Sequence, residues 1–473
     1  MQRSLVGSEM CIRDRYSTSA TAQLCEIMLR DSAHIQMFEA EWRNRKAARS
    51  GGKLKEFVPL YDMDAAVNVC KQFVGCEYDR VYDIAEGIKI RFTDVGHLLG
   101  SASIEVWATE KTENGDVTEK IVFSGDIGNI NKPIIKDPKH VRDADYVVME
   151  STYGNRSHGG TPNYVEDLTD IFKRTFERGG NVVIPSFAVG RTQELLYIIR
   201  KIKEDNLVGR DFDVYMDSPL AIEATNIFIK NVESCFDDDA VELVRKGINP
   251  LSFPGLKYAT TGDESKQINF DPNPKVIISS SGMCEAGRIR HHLKHNLWRP
   301  ECTIVFVGYQ AVGTTGRIIV DGAEEIKLFG EPIQIKAEIV QLKGSSGHAD
   351  KDGLLCWINA FDTKPKKVFV VHGEDSVCDE FTECLKEEYG YDAMAPYTGG
   401  SYDLIADRVI SEGVKERKTR RTTSTQRGKT VFDRLVAAGK RLMTVITHNE
   451  GGTNKDLAKF TDQINALCDK WDR

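Results

Sequence analysis

Five short segments each place a histidine or a carboxylate just past an apolar run, where a strand end would fix the direction of the side chain. They are Gly96-His97-Leu98-Leu99-Gly100-Ser101, Ser124-Gly125-Asp126-Ile127-Gly128, Met149-Glu150-Ser151-Thr152-Tyr153-Gly154, Ser345-Ser346-Gly347-His348-Ala349-Asp350 and Val371-His372-Gly373-Glu374. Imidazole and carboxylate are the ligand types that a hydrolytic zinc accepts. Flanking glycines let the backbone turn sharply and approach an ion closely. Each segment alone says little, because a single histidine after a strand is more often structural, and a Gly-Asp there is usually a turn.

To hold such groups the chain needs strands separated by helices. Leu24, Ile27, Met28 and Ile35 fall at helical spacing, and residues 65–73 repeat the pattern after Pro59, which predicts two surface helices. The period then changes. Residues 88–92 and 102–107 alternate apolar and polar, and Asn114-Gly115 signals a hairpin before residues 121–123. Strand-like runs recur at residues 146–149, 182–184, 214–216, 276–278, 303–307, 339–342 and 368–371, with helical stretches such as 194–203 between them. That alternation predicts an α/β architecture. Residues 415–429 hold seven basic side chains and no large apolar one, so they read as a linker. Beyond it, Val431, Leu435, Leu442 and Ile446, then Leu457, Phe460, Ile464 and Leu467, are spaced for two short amphipathic helices.

Composition bounds the answer. At 473 residues and 41% apolar content the chain exceeds what one hydrophobic core usually fills, so two compact domains are expected. Lysine and arginine total 63 against 71 acids, a net charge of -8, so a nucleic acid would be held by local basic patches. Eleven cysteines form no C-x-x-C pair, which favours reduced thiols, used as core filler, in a cytoplasmic compartment. No run reaches the roughly 18 apolar residues of a membrane helix, so no membrane partner is expected. Neither a Walker A pattern nor a G-x-G-x-x-G after a strand is present, so nucleotide cofactors are not indicated. Residues 1–15 resemble translated adaptor read-through and are set aside.

The order His97, Asp126, Glu150, His348, His372 resembles that of the β-CASP branch of the metallo-β-lactamase superfamily, whose members include RNA-processing nucleases. The resemblance covers roughly residues 20–407. In that family a second domain is inserted between the third and fourth of these positions, and several pieces look like it. They are Ile184-Pro185-Ser186-Phe187-Ala188-Val189-Gly190-Arg191-Thr192-Gln193-Glu194-Leu195, Asp217-Ser218-Pro219-Leu220-Ala221, Ser279-Ser280-Ser281-Gly282-Met283, and Gly308-Tyr309-Gln310 with Gly313-Thr314. Read from the residues alone, the Ser279 to Gly282 loop is either a phosphate cradle or a helix N-cap. Arg191 is either a contact to an RNA backbone or half of a surface ion pair.

The resemblance implies an α/β fold: a metallo-β-lactamase αββα sandwich, incomplete at its N-terminus, with an inserted β-CASP α/β domain. The expected divisions are 16–160 and 336–410 for the sandwich, 161–335 for the insert and 411–473 for linker and C-terminal helices. It further implies a zinc-dependent RNA phosphodiester hydrolase, endo- or exonucleolytic, acting on single-stranded RNA. Two zinc ions would be bridged by Asp126, with His97 on one and His372 on the other. His348 would protonate the leaving oxygen, oriented by Glu150, while Ser279, Ser280, Ser281, Gly282 and Arg191 would contact phosphates. A homodimer is admitted.

One departure stands out. The superfamily's H-x-H-x-D-H, normally upstream of the helix near Ala20, is absent from this sequence. The expectation is therefore an N-terminally truncated chain with little or no activity of its own, a pseudo-enzyme being the rival reading. Two other functions stay open: hydrolysis of another ester such as a thioester, and a non-catalytic RNA-binding scaffold.

Overall fold

The computed structural model describes residues 14–49, 57–113, 115–157, 159, 163–342, 346–414, 439, 442, 443, 445–447 and 454–471. The chain opens with β1 (Arg15–Thr18), α1 (Ser19–Arg49), α2 (Met63–Cys70) and β2 (Phe73–Cys76), and β1 pairs with β2 in parallel. Asp62 caps α2 by accepting from the Ala65 N–H at 2.8 Å. An antiparallel meander follows, β3 (Val81–Ala85), β4 (Ile88–Asp94), β5 (Ala102–Thr112) and β6 (Gly115–Phe123), and β7 (Tyr146–Glu150) then joins β6 in parallel.

The chain next builds a second sheet. Its elements are α3 (Tyr164–Glu177), β8 (Val182–Pro185), α4 (Arg191–Glu204), β9 (Asp213–Asp217), α5 (Pro219–Lys230), α6 (Val232–Cys235), α7 (Asp238–Arg245), β10 (Leu256–Tyr258) and α8 (Gly262–Phe270). They continue with β11 (Lys275–Ser279), α9 (Ile289–Asn296), β12 (Thr303–Phe306), α10 (Thr315–Val320), the hairpin β13 (Glu325–Leu328) and β14 (Glu331–Gln334), and β15 (Glu338–Gln341). The first sheet is completed by α11 (Lys351–Ile358), β16 (Lys367–Val371), α12 (Asp375–Glu387) and β17 (Ala393–Met394), after which come β18 (Ser401–Asp403), β19 (Arg408–Ser411) and α13 (Asn454–Trp471).

The first sheet has seven strands in the order β17-β16-β7-β6-β5-β4-β3; the second has six, β10-β9-β11-β8-β12-β15, all parallel. Strands buried on both faces must be apolar throughout, and Val182, Val183, Ile184, Val276, Ile277 and Ile278 are all sealed. Their alternate side chains feed two cores. Val182, Ile184, Val276 and Ile278 pack with Leu168, Phe172, Leu196 and Phe228, whereas Val183 and Ile277 pack with Leu293, Phe306 and Ile319. A third core sets Val147, Met149, Val368 and Val370 of the first sheet against Trp357 and Ile358 of α11 and Phe381 and Leu385 of α12. Each such side chain contributes about 1.5–3 kcal/mol by leaving water.

Several expectations are refined. The expected helix from Ala20 is a single α1 of 31 residues, in which only Ala20, Leu24, Ala33 and Ala40 are buried, while Phe73 opens a strand instead of closing α2. The expected division at residue 336 falls before a strand of the second sheet, because β15 pairs with β12. The linker at 415–429, with Val431 and Leu435, lies outside the described residues, as does Ser345. By contacts the chain forms two units, Met1–Pro396 with Gly400–Glu412, and Tyr397–Gly399 with Gly413–Arg473. Within the second, α13 carries Leu457, Phe460 and Ile464 half-buried. No described helix is long and apolar enough to cross a membrane.

Candidate metal centre

The five segments converge at one end of the seven-stranded sheet. His97 lies three residues past β4, in a loop pinned by Ser101, whose Oγ accepts from the N–H groups of His97 and Leu98 at 3.1 Å each. Asp126 lies three residues past β6. The two loops interlock through glycines: a Cβ on Gly128 would stand 2.0 Å from the Gly96 carbonyl oxygen, so neither backbone tolerates a side chain there. The His348 segment is bridged to the Asp126 loop, with Asn129 N–H donating to the Gly347 carbonyl at 3.1 Å and Ala349 N–H to that of Ile127 at 2.8 Å. His372 directly follows β16 at φ 53°, a conformation that non-glycine residues avoid unless the surroundings impose it. Its carbonyl is held by Thr152, whose Oγ1 donates at 3.1 Å.

Asp126 stands between two imidazoles that address different oxygens of its carboxylate. His372 Nε2 is 3.2 Å from Oδ1, and His97 Nε2 is 3.9 Å from Oδ2. The His348 ring is centred 4.4 Å from that of His97 and 6.0 Å from that of His372. Donor atoms of His97, Asp126 and His348 all lie within 4.8 Å of one another. Behind His348, Glu150 is 2% exposed, and both its oxygens are 3.1 Å from Nδ1. The remaining lone pairs of Glu150 accept from the N–H groups of Ile127 at 2.5 Å and Thr152 at 3.3 Å. A carboxylate so committed fixes the ring and assigns its Nδ1 as the protonated nitrogen.

The electrostatics separate the two inner histidines. Burial, with repulsion from His348 and Lys132, pushes His97 down to about 4, so at neutral pH its ring keeps a lone pair. Burial also opposes charge on His348, but the hydrogen bond and charge of Glu150 outweigh it and raise the ring above its usual value. Glu150 is held below the usual carboxylate range: burial pushes it up, and the hydrogen bond and charge of His348 push it further down. The donors suit zinc in type and in spacing: those of His97, Asp126 and His348 lie within 4.8 Å of one another, and His97 Nε2 stands 3.9 Å from Asp126 Oδ2, beyond hydrogen-bond reach.

The centre opens on a cleft of about 1500 Å³ lined by His97, His348, Arg191, Ser280, Ser281 and Gly282 among others. Ser279 does not join them. It is the last residue of β11, 1% exposed, and donates its hydroxyl to the Asp217 carbonyl at 2.8 Å, so the strand runs one residue further than expected and turns this side chain inward. Nor is the loop an N-cap, since α9 begins only at Ile289. Arg191 lines the cleft with Nη1 2.5 Å from Glu194 Oε2, so the ion-pair reading of this arginine describes its state here. Lys132, which the sequence did not single out, bonds the other oxygen of Glu194 at 2.8 Å and the His97 carbonyl at 3.3 Å, tying the His97 loop to α4. A lone lysine in Asn131-Lys132-Pro133 carries no periodic signal that could have revealed it.

Two family models and several known proteins match the chain. Residues 192–319 match the Beta-Casp domain, and residues 332–396 match a Zn-dependent metallo-hydrolase RNA specificity domain. Ribonuclease TTHA0252 of Thermus thermophilus is 32% identical over 360 residues, 76% of this chain and 75% of that protein. Transcription termination factor FttA of Methanosarcina mazei is 32% identical over 359 residues, and an RNase J-like protein of Methanocaldococcus jannaschii is 35% identical over 295. The matches cover 74% and 62% of this chain, and 54% and 65% of those archaeal relatives. On its likeness to the Thermus protein, of which it covers three quarters, the chain belongs to the β-CASP family of the metallo-β-lactamase superfamily.

Proposed function

We propose that this site hydrolyses phosphodiester bonds of single-stranded RNA with the help of zinc. The carrying observation is the carboxylate of Asp126 set between His97 and His372, with a third imidazole, His348, backed by the buried Glu150, on the wall of a wide cleft. In this reading residues 16–160 and the chain after β15 up to residue 410 form the metal-bearing domain, and residues 161 to the end of β15 the insert. His97, Asp126 and His372 hold the metal. When bound, two zinc ions would supply water of lowered pKa and neutralise charge building on the phosphate oxygens.

The chain's own residues do the rest. His348 is fixed through Nδ1 by Glu150, whose charge favours the protonated ring, and gives a proton to the leaving oxygen. Ser280, Ser281 and Gly282 hold phosphate through hydroxyls and N–H groups, and Arg191 and Lys132, clamped by Glu194, give the wall its positive charge. A relative named as a ribonuclease and a matched domain described as conferring RNA specificity favour RNA over a small ester. The free cysteines suit a reducing, cytoplasmic compartment.

Because H-x-H-x-D-H is missing from the 473 residues, the metal set here is short of the superfamily's, and turnover by this chain alone should be slow. The test is labelled single-stranded RNA incubated with the chain and zinc. Whatever cleavage occurs should vanish on chelation and fall about 10²- to 10⁴-fold in His348→Ala. Cleavage indifferent to both overturns the proposal.

A further inference from the structure

The wall of the cleft opposite the metal-bearing loops is formed by the C-terminal ends of β11, β8 and β12, three neighbouring parallel strands whose ends face the same edge of their sheet. Open α/β sheets bind ligands at that edge. Phe187 lies two residues past β8 and is 47% exposed; Tyr309 lies three past β12 and is 56% exposed. Both line the cleft. Elsewhere in the same lobe Phe172, Phe176 and Phe212 are buried and pack on one another, whereas these two rings open on the cleft. Among the described residues no aromatic ring or cation covers Phe187 or Tyr309.

One polar atom beside these rings is also without a partner among the described residues: Ser280 Oγ is buried yet makes no hydrogen bond. Gln310, 3% exposed, holds the loop from behind, its Nε2 donating to the Gly282 carbonyl at 3.0 Å while its Oε1 packs against Gly316 of α10. Gly282 itself is pressed on the Phe187 ring, where a Cβ would come within 3.1 Å, so loop and ring form one surface. Buried polar atoms are almost always satisfied, and an exception in a cleft asks for a ligand that completes it.

We propose that this wall is a nucleobase subsite, with Phe187 and Tyr309 offering stacking faces and Ser280 Oγ taking a hydrogen bond from the base edge. The proposal rests on the RNA reading above and deepens it. A flat π-surface carrying an exocyclic amine satisfies both observations together, which a bare phosphate does not. It also gives the cleft a reason to prefer unpaired strands, because a base must leave its stack to reach the rings.

Binding alone tests this, without turnover. Fluorescence anisotropy on the full chain in the presence of chelator compares a single-stranded RNA oligomer with an abasic ribose-phosphate oligomer of equal length and charge. RNA should bind more tightly by about 5- to 150-fold per stacked base. Phe187→Leu with Tyr309→Leu keeps apolar bulk at two half-exposed positions and should erase that difference while leaving affinity for the abasic oligomer unchanged. Tyr309→Phe should retain it. Equal affinity of the unmodified chain for the two oligomers overturns the base subsite and leaves the RNA reading standing, pointing the rings at a protein partner instead. Affinity for neither oligomer overturns both.

Discussion

His292 and Asp217, 2.6 Å apart, are sealed at 0% exposure, whereas His372 and Asp126, 3.2 Å apart, are 58% and 40% exposed. In each pair at least one member sits at or just past the C-terminal end of a strand, and in type they are the same chemistry. Their surroundings differ. Asp217 accepts from Ser265 Oγ at 2.5 Å and Arg288 Nη1 at 2.7 Å as well, and His292 Nδ1 is 3.0 Å from Asn269 Oδ1. Every polar atom of that cluster is spent inside the protein. At the other cluster the carboxylate of Asp126 is half open and His97 Nδ1 has no partner among the described residues. A histidine and a carboxylate in contact thus mark a functional centre only where their bonding capacity is left over.

The comparison can be broken from either side. Asp217→Ala should cost about 3–5 kcal/mol in urea unfolding, because it leaves the sealed His292 without its carboxylate and removes the ion pair of the partly buried Arg288. A loss below about 1 kcal/mol would show that the cluster is not structural. Glu150→Gln keeps the shape behind His348 and removes the charge that orients it, so RNA cleavage should drop about 10- to 100-fold with the fold intact. Unchanged cleavage would make Glu150 a second Asp217.

The acid limb of stability sharpens the contrast further. Burial pushes the Asp217 carboxyl up, but hydrogen bonds from His292, Ser265 and Arg288 outweigh it and hold it below the usual range. A depressed folded pKa stabilises the native state above the unfolded value of about 3.9, and that contribution disappears as the pH falls through the lower folded value. The stability gap between the unmodified chain and Asp217→Asn should therefore be level above about pH 4 and shrink below it. A gap that widens on acidification contradicts the network.

The sequence shows why one cluster is legible and the other is not. His97, Asp126, Glu150, His348 and His372 each follow a short apolar run and lie at or next to a glycine or serine turn, so strand end and ligand are read together. His292 belongs to a helix with His291 and His295 on other faces, and only the packing of α8 and α9 on β9 shows which ring meets Asp217. Ser279 was misplaced because a strand's final residue cannot be told from the first of its loop by pattern. Arg191 has its partner one helical turn away at Glu194, which spacing permits but cannot select over a ligand. The long runs at β4, β5 and β7 were visible; β3, β13 and β14, short and of mixed polarity, were not.

Zinc titration by calorimetry on the purified chain tests the central claim most directly. Zinc should bind, Asp126→Ala should weaken it at least about tenfold, and Ser265→Ala, which touches only the sealed cluster, should leave it unchanged. Zinc that fails to bind, or that binds equally well to Asp126→Ala, would contradict a metal centre built on Asp126.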